Sequence, residues 1–265
     1  MKVFTDRLEA EPGVLVTVIA AEGSVPREAG AWMLVFEGEA MGTVGGGRLE
    51  FDAIGHARGL LSGQPGAASQ RYALGPSLGQ CCGGVVHLKF EQVGPSDIPS
   101  LKQRLAPPVA PLALFGGGHV GRALIDALAL LPFAVSWIDS RDEIFPPQVP
   151  ANVNCEHSDP VHRAVAGLPA ASRVLVMSFS HAEDLDVIAA CLQRLRECND
   201  LPYVGLIGSK TKWATFRHRL QQRGFGDGDL ARITCPIGLP GIEGKQPEII
   251  AASVVAQILQ LAPPY

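Results

Sequence analysis

Several features that mark large protein classes are missing from this chain. No apolar run approaches the roughly 18 residues of a membrane-crossing helix, so no membrane association is expected. The opening residues, Met1 to Arg7, lack the apolar core of a secretory signal, which makes the cytoplasm the expected location. There is no long basic run, and the formal net charge is −4, so nothing in the charge balance suggests nucleic-acid binding. No pair of its cysteines is spaced Cys-x-x-Cys, and no Cys/His cluster has zinc-finger spacing. In a cytosolic chain these cysteines are expected as thiols. Cys191 and Cys198, seven residues apart in a helical stretch, are expected to share one buried face. Internal repeats and low-complexity segments are absent, and no nucleophile–base–orienter trio can be read from the spacing. No catalytic residue is therefore assigned.

What remains is a long, apolar, glycine-rich chain. With 265 residues, 47% of them hydrophobic and only 18% charged, it can form one large or two smaller packed domains. Residues 93–111 carry Pro95, Pro99, Pro107, Pro108 and Pro111 and mark the expected boundary. The division expected is an α+β domain at 1–94, a linker at 95–110 and a second domain at 111–265. The first half shows a β-branched strand pattern at 14–20, further strands at 32–36, 70–74 and 85–90, and a helical pattern at 49–61. The second half alternates strands with helices, which predicts an α/β domain with a doubly wound, Rossmann-like parallel sheet. A short helix is expected within the boundary segment, around 97–105.

Three glycine-rich turns carry the candidate chemistry. Gly116-Gly117-Gly118-His119-Val120-Gly121 follows the apolar run Leu112 to Phe115 and opens a helix, the order of a dinucleotide-binding loop. Gly116 would make the turn, Gly118 would let a pyrophosphate approach, and Gly121 would let helix and strand pack closely. Asp139 ends the next apolar run and would meet a ribose hydroxyl. Arg141 could favour a 2′-phosphate or simply face solvent. His119, at the helix start, could touch a ligand or act as a cap. Gly42 to Gly47 leads into the next helix, where the amides of Gly45, Gly46 and Gly47 with Arg48 could cradle a phosphate or merely connect strand to helix. Gly79 to Gly84 holds the adjacent pair Cys81-Cys82. Those thiols suit a soft metal, a carried sulfur or a reactive ligand if they ionise readily; two small buried side chains are the plainer alternative. His181 and Lys210 follow predicted strands at the edge where ligands gather in open α/β sheets.

These stretches together resemble the XdhC/CoxI family. The resemblance runs through Glu22 to Arg27, Gly42 to Glu50, Gly79 to Gly84, Gly116 to Gly121, Ile207 to Lys210, Ile237 to Pro240 and Gln246 to Ile249. It implies a chaperone that binds and protects the molybdenum cofactor, of the molybdopterin type. Such a protein presents the cofactor to a cysteine desulfurase for sulfuration and delivers it to a xanthine dehydrogenase-type molybdenum hydroxylase. It also implies a homodimer. On that resemblance Gly45 to Gly47 and Arg48 would hold the pterin phosphate, and Cys81 or Cys82 would lie near molybdenum. Gly116, Gly118 and Gly121 would serve a phosphate or nucleotide end. The family's usual residues before the histidine are represented by Phe179-Ser180-His181. A nicotinamide-dependent oxidoreductase, resting on the Gly116–Gly121 loop and Asp139, is the alternative; a sulfur transferase carrying a persulfide on Cys81 or Cys82 is a third reading.

Overall fold

A computed structural model of the protein describes residues 2–75, 83–106 and 109–261. The chain divides into two compact units, Met1–Ala106 and Pro107–Tyr265.

The first unit is built on a five-stranded antiparallel sheet. Its elements are α1 (Lys2–Ala10), β1 (Gly13–Glu22), β2 (Trp32–Val35), β3 (Ala40–Gly42), α2 (Gly47–Leu61), β4 (Ser69–Ala73), β5 (Val85–Val93) and α3 (Ile98–Arg104), and the strand order is β3-β2-β1-β5-β4. The central strand β1 is apolar almost throughout because both its faces are covered. Val14, Val16 and Val18 pack with Leu49, Ala53 and Ala57 of α2. Leu15 turns the other way, into a cluster with Phe4 and Leu8 of α1 and Leu101 of α3. Alternate residues of a strand point to opposite faces, so one strand feeds two cores.

Residues 95–106, drawn from composition as part of a linker, belong to this unit. Ile98, Leu101 and Leu105 are buried in the second of its clusters. The prolines that suggested a linker sit where a helix tolerates them. Pro95 opens a 3₁₀ turn and Pro99 lies in the first turn of α3, where the missing N–H would have had no helical partner.

The second unit is a three-layer α/β domain. It comprises β6 (Ala110–Phe115), α4 (His119–Leu128), β7 (Phe133–Asp139), β8 (Val153–His157), β9 (Arg173–Val176), α5 (His181–Glu197), β10 (Tyr203–Leu206), α6 (Lys210–Gln222), α7 (Asp227–Leu230), β11 (Ile233–Thr234) and α8 (Pro247–Leu259). All six strands are parallel, in the order β11-β10-β9-β6-β7-β8. The strand order reverses between β6 and β9, and in such sheets that point opens a crevice at the carboxyl edge. On one face Leu124, Ile125 and Leu128 of α4 meet Val254 and Ile258 of α8 over Leu112, Leu114 and Trp137. On the other, α5 and α6 cover Ala113, Phe115, Val174 and Val176. Every residue of β9 and β10 is buried, which is why, apart from Arg173 at the start of β9, these strands carry no charge and little polarity. Among the described residues no helix is long and apolar enough to cross a membrane.

Candidate functional site at the carboxyl edge of the parallel sheet

Two loops meet at the strand-order reversal. One is Gly116–Gly118, between β6 and α4; the other is Met177–Ser180, between β9 and α5. Gly116 has φ +123°, and a side chain there would overlap the Met177 carbonyl oxygen. A Cβ on Gly121 would overlap the Gly116 carbonyl, so this glycine sets how closely α4 lies on the sheet. The Trp137 indole Nε1 donates to that same carbonyl at 3.0 Å. Gly118 differs from both: nothing lies within 4 Å of a Cβ built on it. It caps α4 with no side-chain hydrogen bond.

That open start differs from those of α5 and α6, whereas α8, which follows β11, likewise has no side-chain cap. Ser180 accepts from Glu183 N at 3.2 Å at the start of α5, and Ser209 accepts from Lys212 N at 3.1 Å at the start of α6. Both first turns are thus closed by their own serines. The first amides of α4 have no such cap, and helix dipole and open donors together favour an anion there.

Asp139, expected at a ribose, is engaged inside the protein. It is 1% exposed. Its Oδ2 accepts from Gly117 N at 2.6 Å and from Arg141 Nη2 at 2.9 Å; its Oδ1 accepts from Arg141 N and Nε, both at 2.9 Å. Burial alone would raise its pKa, but the Arg141 hydrogen bonds and charge and the Gly117 amide hold it below the usual carboxylate value. Arg141 in turn stacks over the Phe179 ring at 4.6 Å, joining the loops after β7 and β9. Ser140 Oγ donates to Glu183 Oε1 at 2.6 Å across the same gap. A ribose hydroxyl would have to displace a bidentate arginine to reach Asp139.

Behind this runs a second buried network. Asp184 is 2% exposed. It accepts from Ser178 N at 2.8 Å and Ser178 Oγ at 2.7 Å on one oxygen, and from Lys212 Nζ at 2.6 Å on the other. Lys212 also donates to Ile207 O at 2.9 Å. The pair anchors the starts of α5 and α6 to the ends of β9 and β10. Lys212 had no sequence signal beyond its place two residues after Lys210. Lys210 itself and the histidines His119 and His181 are exposed at the same edge. The second unit therefore gathers Gly116, Gly118, His119, Gly121, Asp139, His181 and Lys210 along one rim.

The Gly42–Gly47 turn lies in the first unit and departs from an open phosphate cradle. Gly45, Gly46 and Gly47 all have positive φ (138°, 75° and 62°). The acceptor in the nest is the chain's own Glu50. Its Oε2 receives Thr43 Oγ1 at 2.5 Å, Gly46 N at 3.1 Å and Val44 N at 3.2 Å, while Gly45 N donates to Thr43 Oγ1 at 3.1 Å. Arg48 points away, paired with Asp52 at 2.9 Å and stacked over Phe51. Glu50 was not singled out from sequence, although an acid in the first turn of a helix is a visible signal.

Cys81 and Cys82 lie outside the described residues. Of the other thiols, Cys191 is fully buried and pushed up to about 12 by that burial. Burial also raises Cys155 and Cys235. None of these three is primed as a thiolate. Cys198 does not share the buried face with Cys191, because α5 ends at Glu197 and Cys198 is its exposed cap. Among the described residues no group of three or more His, Cys, Asp and Glu could hold a metal ion.

Comparison with known proteins bears on both units. Residues 112–258 match the model of the XdhC Rossmann domain, and residues 7–73 match that of the XdhC and CoxI family. The chain belongs to the XdhC/CoxI family. One relative is "Uncharacterized protein YqeB" of Escherichia coli (strain K12), 26% identical over 269 residues. That alignment covers 98% of this chain and 46% of YqeB, so the chain spans about half the length of this relative. Among solved structures, a Bacillus halodurans protein described as a xanthine dehydrogenase superposes with a TM-score of 0.78 at 21% identity. It covers 98% of this chain and 94% of its own, and it shares the XdhC-type fold.

Proposed function

We propose that this protein is a maturation factor that carries a molybdopterin-type molybdenum cofactor as cargo. It shields the cofactor, supports its sulfuration by a cysteine desulfurase and delivers it to a xanthine dehydrogenase-type molybdenum hydroxylase, acting as a cytoplasmic homodimer. Membership of the XdhC/CoxI family, with matches in both units, carries the reading. The chemistry at the carboxyl edge is compatible with it. The cargo ends in a phosphate, and the uncapped amides at the start of α4, beside the open Gly118, are suited to hold one. Soft sulfur ligands would come from Cys81 and Cys82, since burial keeps Cys155, Cys191 and Cys235 protonated. The nicotinamide alternative is less well supported, because Asp139 already accepts four hydrogen bonds.

The test is anaerobic purification followed by oxidation and fluorescence detection of released pterin. Retained or reconstituted cofactor at up to one equivalent per chain is the expected result; absence of both retention and uptake would refute the carrier role. Cys81→Ala with Cys82→Ala is expected to lower retention or transfer to an apo-hydroxylase. Undiminished delivery by that double variant would remove the thiols from the mechanism.

A further inference from the structure

A groove of about 310 Å³ lies between the start of α5 and the exposed side of α6, in the second unit. Its floor is Phe216, buried, with the His181 ring edge-on at 6.2 Å between centroids. Along α6 the groove is lined by Thr211, Thr215 and Arg219. These recur every four residues and so stand on one helix face. Ser209 and Lys212 close its upper end. The lining holds three hydroxyls and three basic side chains and no carboxylate.

The charges divide in a telling way. Lys212 is neutralised by Asp184 at 2.6 Å. Arg217 pairs with Asp227 at 2.9 Å and Arg223 with Asp186 at 2.7 Å. Arg219, between them in sequence, has no ion pair among the described residues. It is exposed in the last turn of α6, on the helix face that also carries the Thr211 hydroxyl. A planar guanidinium with a hydroxyl donor on the same face matches the oxygens of a phosphate, with geometry a lone ammonium lacks.

We propose that this groove is a second anion site, binding the phosphate group of a small phosphate monoester. Arg219 forks onto the phosphate oxygens; Thr211 donates from the same helix face, while the Thr215 hydroxyl, which donates to the Thr211 carbonyl at 3.2 Å, only lines the groove; His181 adds a ring N–H and, with Phe216, an apolar and aromatic wall for the organic part. The site is separate from the start of α4 and does not depend on the cofactor reading.

Amide chemical shifts of the ¹⁵N-labelled, deuterated full chain, titrated at constant ionic strength, test it. Inorganic phosphate is expected to give saturable shifts at residues 209–219, with chloride silent. Arg219→Ala, an exposed change that leaves the core intact, should weaken binding about tenfold. Gly118→Ala should leave these shifts in place. AMP binding more tightly than ribose 5-phosphate assigns a nucleotide as the natural ligand, and equal affinity assigns a sugar phosphate. Absence of saturable shifts at 209–219, or an unchanged affinity in Arg219→Ala, overturns the site. Shifts confined to residues 118–120 also overturn it while leaving the carrier reading standing.

Discussion

At the scale of single residues, the most consequential finding is what Asp139 does. A carboxylate at the end of the second parallel strand is the signature of a ribose-binding aspartate, yet here it ties Gly117 to Arg141. Replacing Arg141 by alanine leaves a buried carboxylate with only its amide donors. A fully buried pair broken this way costs several kcal/mol; with Arg141 33% exposed we expect about 2 kcal/mol at neutral pH. The pH dependence has a definite sign. The folded pKa of Asp139 lies below its ordinary 3.8, so its contribution is complete above that value and is lost as pH falls through the lower folded value. Without Arg141, desolvation dominates and the folded pKa rises. Acid unfolding of Arg141→Ala, followed by circular dichroism, should begin at higher pH than in the parent; coincident acid transitions would show that the pair adds nothing. Glu50 offers a parallel case. Glu50→Ala strips the acceptor from Val44 N, Gly46 N and Thr43 Oγ1 and should cost about 1–3 kcal/mol by chemical denaturation. If the nest can serve an external phosphate, the same variant should bind inorganic phosphate more tightly than the parent at that turn. Unaltered stability would mean the carboxylate is not what holds the loop.

At the scale of elements, the glycines of one loop separate into two kinds. Gly121→Ala drives a methyl into the Gly116 carbonyl and must push α4 off the sheet, so we expect a loss of several kcal/mol or failure to fold. Gly118→Ala meets nothing within 4 Å, and its φ of −70° suits any residue, so its melting temperature should stay within a few degrees of the parent. Its anion affinity should nevertheless fall, read by phosphate-induced shifts at residues 118–120. A Gly118→Ala protein as unstable as Gly121→Ala would contradict the open geometry. Elements of this unit were largely legible beforehand. Buried parallel strands leave short, mainly apolar runs, and each of the helices α4, α5, α6 and α8 carries apolar residues at helical spacing. What stayed hidden has physical causes. α1 carries charge at Asp6, Arg7 and Glu9, and the apolar side chains it is seen to bury are two, Phe4 and Leu8, beside the polar Thr5. β3 and β11 are three and two residues long, too short for any period to register. At the site, the glycines and Asp139 were visible as a motif, because backbone constraints act locally. The pairs Ser140–Glu183 and Lys212–Asp184 were not, since they join residues 43 and 28 apart that topology alone brings together.

On the scale of the whole molecule, the chain reads as two separately cored units. The first holds two clusters, one over each face of its antiparallel sheet, and the second holds two more around its parallel sheet. The boundary falls at Ala106 rather than near residue 94 because α3 contributes Leu101, fully buried, to the first unit. Composition placed the break early: prolines at the first turns of short helices look like linker prolines until packing is known. Separate cores imply separate responses to damage. Leu101→Ala should remove about 2–5 kcal/mol from the first unit, the range for emptying a leucine site in a packed core. Ile188, fully buried on the inner face of α5, plays the matching role in the second unit, and Ile188→Ala should cost a similar amount there. Scanning calorimetry should then show that each variant lowers one component of the unfolding endotherm and leaves the other near its parent temperature. Parallel shifts of the whole endotherm in both variants would mean that the two units unfold as one, against the independence that separate cores predict.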